Sequence, residues 1–179
     1  MVRRWPRPVR KHPANTRSAC WQTVGVPILL IRHANAGARS DWTGDDRLRP
    51  LSRKGARQAA ALATQLVPRE PDRILSSPFV RCVQTVEPLA DKLGLKVEIT
   101  DDLAEGEVAA AVALVRSCAD GESVALSTHG DIVPEILVAL ADEDHLDLGP
   151  SPRQPKGSVW VLESKKGRFV RATYLAPAT

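Results

Sequence analysis

The chain has 179 residues, of which 43% are hydrophobic and 26% charged, and these are ordinary values for a globular domain with its own core. No apolar run approaches the roughly 20 residues that a membrane-spanning helix needs, so no membrane segment is predicted. The three cysteines show neither CxxC spacing nor the even number of a disulfide framework, which favours a reducing, cytoplasmic location.

The first 26 residues differ in composition from the rest of the chain. They contain six basic residues and no acidic residue, so the net charge of +4 becomes −2 for residues 27–179. They also contain prolines and no apolar run of the length found in signal peptides. We predict an irregular basic tail over 1–26 and one folded domain over 27–179, and nucleic-acid binding is not expected of that domain.

The first predicted elements are a strand and a helix. The continuous apolar run over 27–31 predicts a strand that is buried on both faces. Ser52 is placed to cap a helix that continues to about Leu66. The inward stripe of this helix is predicted to be Ala59, Ala60, Leu62, Ala63 and Leu66.

The later segments continue this alternation. After a short strand over 73–75, Ser77-Pro78 predicts the start of a second helix, which Gly94 ends. The remaining predictions are a strand over 95–99, a helix over 107–117, a strand over 123–127, a helix over 131–140 and a hairpin of 157–162 with 169–175. The pattern predicts an α/β fold with a largely parallel sheet covered by helices on both faces.

Three polar clusters directly follow predicted strands. They are Arg32-His33, then Ser76-Ser77 with Arg81, then Thr128-His129-Gly130. Ligands of open α/β sheets bind beyond the carboxyl ends of the strands, so parallel strands would bring these clusters into one crevice. Arginine pairs with phosphate oxygens, and histidine can act as a nucleophile or, when protonated, bind developing negative charge. The clusters therefore predict a site for a phosphoryl group.

At these positions the sequence resembles the histidine phosphatase superfamily, also called phosphoglycerate mutase-like, over roughly residues 27–175. Four segments carry the resemblance in the family's order: ILLIRHANA, RLRPLSRKGARQAAAL, SSPFVRCVQTVEPLA and LSTHGDIV. The resemblance implies a three-layer α/β/α sandwich in a single compact domain without a cap insertion. It implies that His33 is the phosphorylated nucleophile. It further implies a phosphate pocket completed by Arg32, Arg81 and His129, with no metal and no cofactor.

The sequence departs from the family's motif at one position, and it offers more than one candidate for the general acid. Ala34 stands where the family's Arg-His-Gly motif has glycine. The family usually takes its acid from the loop after the third strand, and this loop contains Asp101, Asp102, Glu105 and Glu107. We expect Glu105 to be the acid, because Glu107 is expected to open a helix and interact with the helix dipole.

The long loop after the nucleophile offers further candidate residues. Arg39, Trp42, Asp46 and Arg49 could line the mouth of the site, and Arg49 could bind a second anionic group. Asn35 is the other candidate substrate ligand. The alternative is a solvated loop with one packed tryptophan.

The spacing of the strands bears on the substrate. Only about 23 residues separate the third strand from the fourth, where larger members of the superfamily carry substrate-specifying insertions. The chain resembles the small SixA-type phosphohistidine phosphatases, and also the phosphatase half of bacterial proteins that join it to a MutT-type Nudix domain. We expect first a SixA-like phosphatase acting on phosphorylated protein, and second a phosphatase of nucleotides or small phosphate esters. A non-catalytic phosphate-binding module is the alternative from another class.

Overall fold

The computed structural model describes residues 26–119, 121–149 and 152–178. The strands are β1 (Pro27–Arg32), β2 (Arg73–Ser76), β3 (Val97–Ile99), β4 (Val124–Thr128), β5 (Val159–Lys165) and β6 (Arg168–Leu175). The helices are α1 (Arg53–Leu66), α2 (Val80–Leu93), α3 (Val108–Ser117) and α4 (Ile132–Asp144). Residues 1–25 of the predicted basic tail lie outside the described residues, and its boundary stays a prediction.

All six strands belong to one sheet in the order β3-β2-β4-β1-β5-β6. The pairs β3–β2, β2–β4 and β4–β1 are parallel, whereas β5 and β6 form an antiparallel hairpin beside β1. Strand β4 therefore lies between β2 and β1, and the carboxyl ends of these three strands meet at one edge of the sheet. The predicted α/β class and its mostly parallel sheet are confirmed.

The core lies on both faces of this sheet, which explains the continuous apolar run in β1. Leu29 and Ile31 pack with residues of α1 and α2 on one face. Ile28 and Leu30 point to the other face and pack with residues of α3 and α4. All four side chains are fully buried, and each such burial contributes about 1.5–3 kcal/mol relative to exposure. Because β1 is anchored on both faces, the residues that follow it start from a fixed position.

Helix α1 begins as predicted, but its inward stripe is different. The Ser52 hydroxyl accepts a hydrogen bond from the Gly55 N–H and so caps the helix. Ala60 is exposed, and Gly55 is buried in addition to the other four predicted positions. A Cβ atom at residue 55 would lie 1.9 Å from the carbonyl oxygen of Asn35. Glycine at this position therefore lets the helix approach the loop that follows the nucleophile.

Helix α2 begins at Val80, so the prediction that Ser77-Pro78 opens it was wrong. Phe79 is the N-cap residue, with extended backbone and no capping hydrogen bond from its side chain. The Ser77 hydroxyl is 2.8 Å from Nε2 of His129, and this contact places it in the site. Gly94 ends the helix in the left-handed conformation, as predicted.

Two other elements, β3 and α4, also differ in their bounds from the predictions. Strand β3 is shorter than expected and covers only Val97–Ile99. Helix α4 continues four residues beyond Leu140, and His145 caps it with a positive φ of 58°. These differences lie away from the ends of β1, β2 and β4, so they do not alter where the polar clusters meet.

Candidate active site

His33 directly follows β1, and its backbone N–H donates to the carbonyl oxygen of Thr128 at 2.9 Å. Its Nδ1 atom lies 2.8 Å from the carbonyl oxygen of Ala34. A carbonyl oxygen only accepts hydrogen bonds, so Nδ1 carries the ring proton and Nε2 keeps its lone pair. Only 6% of His33 is exposed. The ring is thus held in the tautomer that leaves Nε2 as the nucleophilic atom.

Burial lowers the pKa of His33 to about 3. The hydrogen bond to Ala34 opposes this shift, while the nearby charges of Arg81, His129 and Arg32 add to it. A histidine with this pKa is neutral throughout the physiological range, and only the neutral ring can attack phosphorus. The local environment therefore favours the reactive form.

His129 follows β4, and its ring centroid lies 5.6 Å from that of His33. Its Nδ1 atom is 3.3 Å from Nη2 of Arg81, which can only donate, so Nδ1 accepts. In the neutral ring the proton is then on Nε2, which donates to the Ser77 hydroxyl at 2.8 Å. Burial, and next the charge of Arg81, lower the pKa of His129 to about 3. A phosphoryl dianion beside the ring would raise that pKa again.

Arg81 lies in the first turn of α2 and is 1% exposed. Its guanidinium group stacks on the ring of Phe79 at 4.6 Å. Nη1 donates to the backbone oxygen of Asp46 at 2.8 Å, and Nη2 donates to Oε2 of Glu105 at 3.1 Å. These contacts fix the plane and the orientation of the guanidinium group.

Arg32 ends β1, and its Nη1 atom donates to the carbonyl oxygen of Gln154 at 2.5 Å. The guanidinium group lies against Gly130, where an added Cβ atom would be 2.5 Å from Nη2. A side chain at residue 130 would therefore displace the guanidinium group of Arg32. This contact links the ends of β1 and β4.

The Nε atoms of Arg32 and Arg81 are both buried without a hydrogen-bond partner among the residues that the structure describes. A buried N–H left without a partner costs about 1–3 kcal/mol. Arg32 and Arg81 therefore each hold a cationic donor without a partner close to the two neutral histidines, and an oxyanion could accept from both. The four predicted pocket residues thus come together at one edge of the sheet.

The two candidate acids occupy different places. Glu105 lies at the rim of the cluster, with its side chain 35% exposed, and contacts both Arg81 and Arg39. Glu107 is the N-cap residue of α3 and makes no capping hydrogen bond with its side chain. The geometry brings Glu105 to the phosphate pocket and leaves its role as acid a prediction.

Asn35 and Arg49, the two predicted substrate ligands, both have contacts within the loop. The Asn35 side-chain oxygen accepts hydrogen bonds from the Ser52 hydroxyl and from the Gly37 N–H. Arg49 is only 7% exposed and donates to Asp46 at 2.7 Å and to the Ala36 carbonyl at 3.0 Å. These contacts support the loop that holds His33, and substrate binding by either residue stays a prediction.

Three contributors to the cluster were predicted from the sequence only in part or not at all. Asp46 was expected only to line the mouth, and Phe79 and Lys156 were not singled out. The Lys156 Nζ atom is 3.4 Å from the carbonyl oxygen of Gly37. Burial lowers its pKa, as do the charges of Arg32, Arg49 and Arg81, so Lys156 is a further cation near the pocket. It belongs to an irregular segment, and no motif pointed to it.

The described residues also hold a thiol close to the site. Cys82 is fully buried with its Sγ atom 3.4 Å from Nε2 of His129, and burial raises the pKa of the thiol to about 12. This thiol is therefore not a nucleophile at neutral pH. The described part of the chain contains no group of three or more potential metal ligands. It also contains no helix of the length and hydropathy that would cross a membrane.

Comparison with known proteins places this arrangement in a family. The sequence model of the histidine phosphatase superfamily (branch 1) matches residues 28–111, which include Arg32, His33 and Arg81. An 8-oxo-(d)GTP phosphatase of Mycolicibacterium smegmatis is 31% identical over 172 residues, which cover 93% of this chain and 50% of that protein. The chain therefore spans about half the length of this relative.

Solved structures show the same fold. A structure named as the phosphohistidine phosphatase SixA of Agrobacterium tumefaciens has a TM-score of 0.68 at 26% identity and covers 85% of this chain and 99% of its own. The protein histidine phosphatase SixA in complex with tungstate has a TM-score of 0.64 at 22% identity, over 86% of this chain and 96% of that chain. With the family's motifs at the ends of β1, β2 and β4, and with SixA-like structures sharing its sheet, the chain belongs to the histidine phosphatase superfamily.

Proposed function

We propose that the chain is a phosphatase that hydrolyses a phosphate ester or phosphoramidate through a phosphohistidine formed on His33. The observation that carries this proposal is the pairing of a neutral His33, whose Nε2 lone pair is free, with two buried guanidinium Nε–H groups that lack partners among the described residues. A nucleophile and the donors for its target are thus present together. The two arginines supply the positive charge, so the proposed steps need no metal.

In the first step, Nε2 of His33 attacks phosphorus in line with the leaving group. The new N–P bond forms as the bond to the leaving oxygen or nitrogen breaks, and the carboxyl group of Glu105 gives its proton to that atom. Arg32, Arg81 and His129 bind the three equatorial oxygens, on which the charge is spread. Phosphate oxygens that take Nη2 of Arg81 would displace Glu105, whose exposed position at the rim allows it to turn toward the leaving group.

In the second step, water replaces the leaving group. The Glu105 carboxylate accepts a proton from this water, whose oxygen attacks phosphorus. The N–P bond breaks, inorganic phosphate is released, and Nε2 of His33 regains its lone pair. The same side chain acts as acid and then as base, so each turnover restores the starting protonation state.

Phosphorylated protein is the first proposed substrate. Between β3 and β4 the described residues form only a short 3₁₀ helix and α3. A connection this short supports a site that a folded protein could approach. The likeness to SixA structures supports the same choice.

Nucleotides or small phosphate esters are the second candidate. They are favoured by the 31% identity to the mycobacterial 8-oxo-(d)GTP phosphatase. A cavity of about 200 Å³ also adjoins the loop after His33, lined in part by Trp42 and Arg49. This cavity could receive part of a small leaving group.

The test is a substrate comparison with purified full-length protein. A phosphohistidine-carrying protein, a set of nucleoside phosphates including 8-oxo-(d)GTP, and p-nitrophenyl phosphate are assayed with wild type, His33→Ala and the matched control His145→Asn. The proposal expects one substrate class to be hydrolysed by wild type and the control but not by His33→Ala. Binding of vanadate without turnover of any substrate would instead favour a phosphate-binding module.

A further inference from the structure

Asp46 lies in the loop after the nucleophile and contacts Arg81 through both backbone and side chain. Its carbonyl oxygen accepts from Nη1 of Arg81 at 2.8 Å, and its Oδ2 atom forms an ion pair with the same nitrogen at 3.1 Å. The other carboxylate oxygen, Oδ1, accepts from Nε of Arg49 at 2.7 Å. One residue thus connects the first turn of α2 with the loop that follows β1.

These contacts constrain which part of Arg81 can meet a substrate. Nη1 donates to the Asp46 carbonyl oxygen and lies at ion-pair distance from Oδ2, and Phe79 stacks against one face of the guanidinium plane. The Nε and Nη2 atoms remain on the opposite edge, where Nη2 contacts His129 and Nε has no partner among the described residues. Bidentate binding of a phosphate needs two such donors on one edge.

The two carboxylates on Arg81 differ in how firmly they are held. The side chain of Asp46 is 17% exposed and is fixed by Arg49 as well as Arg81. The side chain of Glu105 is 35% exposed, and its second contact is to Arg39, which is itself 66% exposed. An arriving dianion can therefore replace Glu105 more readily than Asp46.

Asp46 also remains charged in this setting. Burial by itself raises the pKa of its carboxyl group, but the hydrogen bond from Arg49 and the charges of Arg81, Arg49 and Arg39 outweigh that effect and lower the pKa overall. A partly buried anion between cations keeps a fixed orientation, since moving it would leave more than one cation unpaired. An Asp46 carboxylate held in this way can keep the guanidinium group of Arg81 in one orientation.

We propose that Asp46 is a positioning residue that orients Arg81, directing its Nε and Nη2 atoms at the phosphoryl group. The inference rests on the proposed function, because it assigns Arg81 to substrate binding. Asp46 itself touches neither substrate nor reacting atoms. The alternative is that Asp46 only stabilises its loop through Arg49.

A double-mutant cycle separates these two roles. Asp46→Asn keeps the size of the side chain and an oxygen for Arg49, but it removes the charge that faces Arg81. Arg81→Lys removes the planar group that Asp46 orients. Each single variant, the double variant and wild type are assayed for kcat and KM and for vanadate affinity, with Asp45→Asn as the matched control.

We expect Asp46→Asn to lower kcat and weaken vanadate binding by about tenfold or more, with KM changing less. In the Arg81→Lys background the same substitution should change either quantity by less than about threefold, and Asp45→Asn should leave both unchanged. The positioning role would be overturned if Asp46→Asn lowered kcat and vanadate affinity by less than about threefold. It would also be overturned if the substitution lowered them equally in wild type and in Arg81→Lys. If Asp46→Asn does not fold, Asp46→Glu takes its place in the cycle and is judged by the same comparison. Wild type that neither turns over substrate nor binds vanadate would refute the proposed function instead.

Discussion

The Nδ1 atom of His33 donates to the carbonyl oxygen of Ala34, its neighbour in the chain, at 2.8 Å. The peptide N–H of Ala34 is in turn held by the Thr85 hydroxyl of α2 at 2.9 Å. The ring orientation is therefore set by the backbone of Ala34, which α2 holds in place, and Nε2 keeps its lone pair. This relationship determines which nitrogen is expected to carry the phosphoryl group.

Gly130→Ala should impair the site without unfolding the protein. The new Cβ atom would lie 2.5 Å from Nη2 of Arg32, so the guanidinium group must move away from the pocket. We expect kcat/KM to fall by about tenfold or more, because a displaced donor no longer stabilises the transferring group. Gly121→Ala is the control, since its nearest contact would be an ordinary 3.4 Å. Equal activity of the two variants would contradict the role given to Arg32.

Glu105→Gln should affect substrates according to their leaving groups. A poor leaving group such as an alkoxide needs protonation, whereas p-nitrophenolate leaves without it. We expect hydrolysis of an alkyl phosphate to fall by about 10²-fold or more and the phosphohistidine-forming step with p-nitrophenyl phosphate to change by less than about fivefold. Burst kinetics measure that step. Glu107→Gln, the control, should resemble wild type, and a loss in that variant with none in Glu105→Gln would transfer the acid role to Glu107.

Folding stability should fall with acidification because of His33 and His129. Their pKa values are lowered to about 3 in the folded protein, whereas an unfolded chain has a histidine pKa of about 6.5. Between these values the unfolded state binds more protons, so the stabilisation is complete above about pH 6.5 and is lost as pH falls toward 3. Each histidine should reduce the unfolding free energy by about 2 kcal/mol between pH 7 and pH 5.

Urea denaturation at these two pH values measures the effect. His129→Gln should show a smaller loss of stability than wild type, and His145→Asn, a change at an exposed histidine, should show the same loss as wild type. If the free energy of unfolding fell equally in wild type and His129→Gln between pH 7 and pH 5, the lowered pKa inferred for His129 in the folded protein would be wrong. Saturating phosphate should reduce the loss in wild type, because an anion favours the protonated ring.

The fold and the meeting of the pocket residues follow from local patterns. The apolar run before Arg32 predicts a fully buried strand, and parallel strands have their carboxyl ends at one edge of the sheet. Arg32, His33, Arg81 and His129 could therefore be brought together without coordinates. The motif resemblance gave their expected roles.

Contacts between irregular segments could not be predicted in the same way. Asp46 and Arg81 are 35 positions apart, and Lys156 lies 119 positions from its contact Gly37. Neither segment has a periodicity that fixes its direction in space. The start of α2 was predicted wrongly for a related reason, because a Ser-Pro pair is a good local helix start. Here the Ser77 hydroxyl contacts His129 instead, and the helix begins only after Phe79.

The most direct test is to locate the phosphoryl group after rapid acid-free quenching of a reaction with ³²P-labelled substrate. We expect an acid-labile, alkali-stable label on His33, attached at Nε2, and none in His33→Ala, while His145→Asn is labelled like wild type. A label that survives acid, that lies on another residue, or that persists in His33→Ala would contradict this expectation.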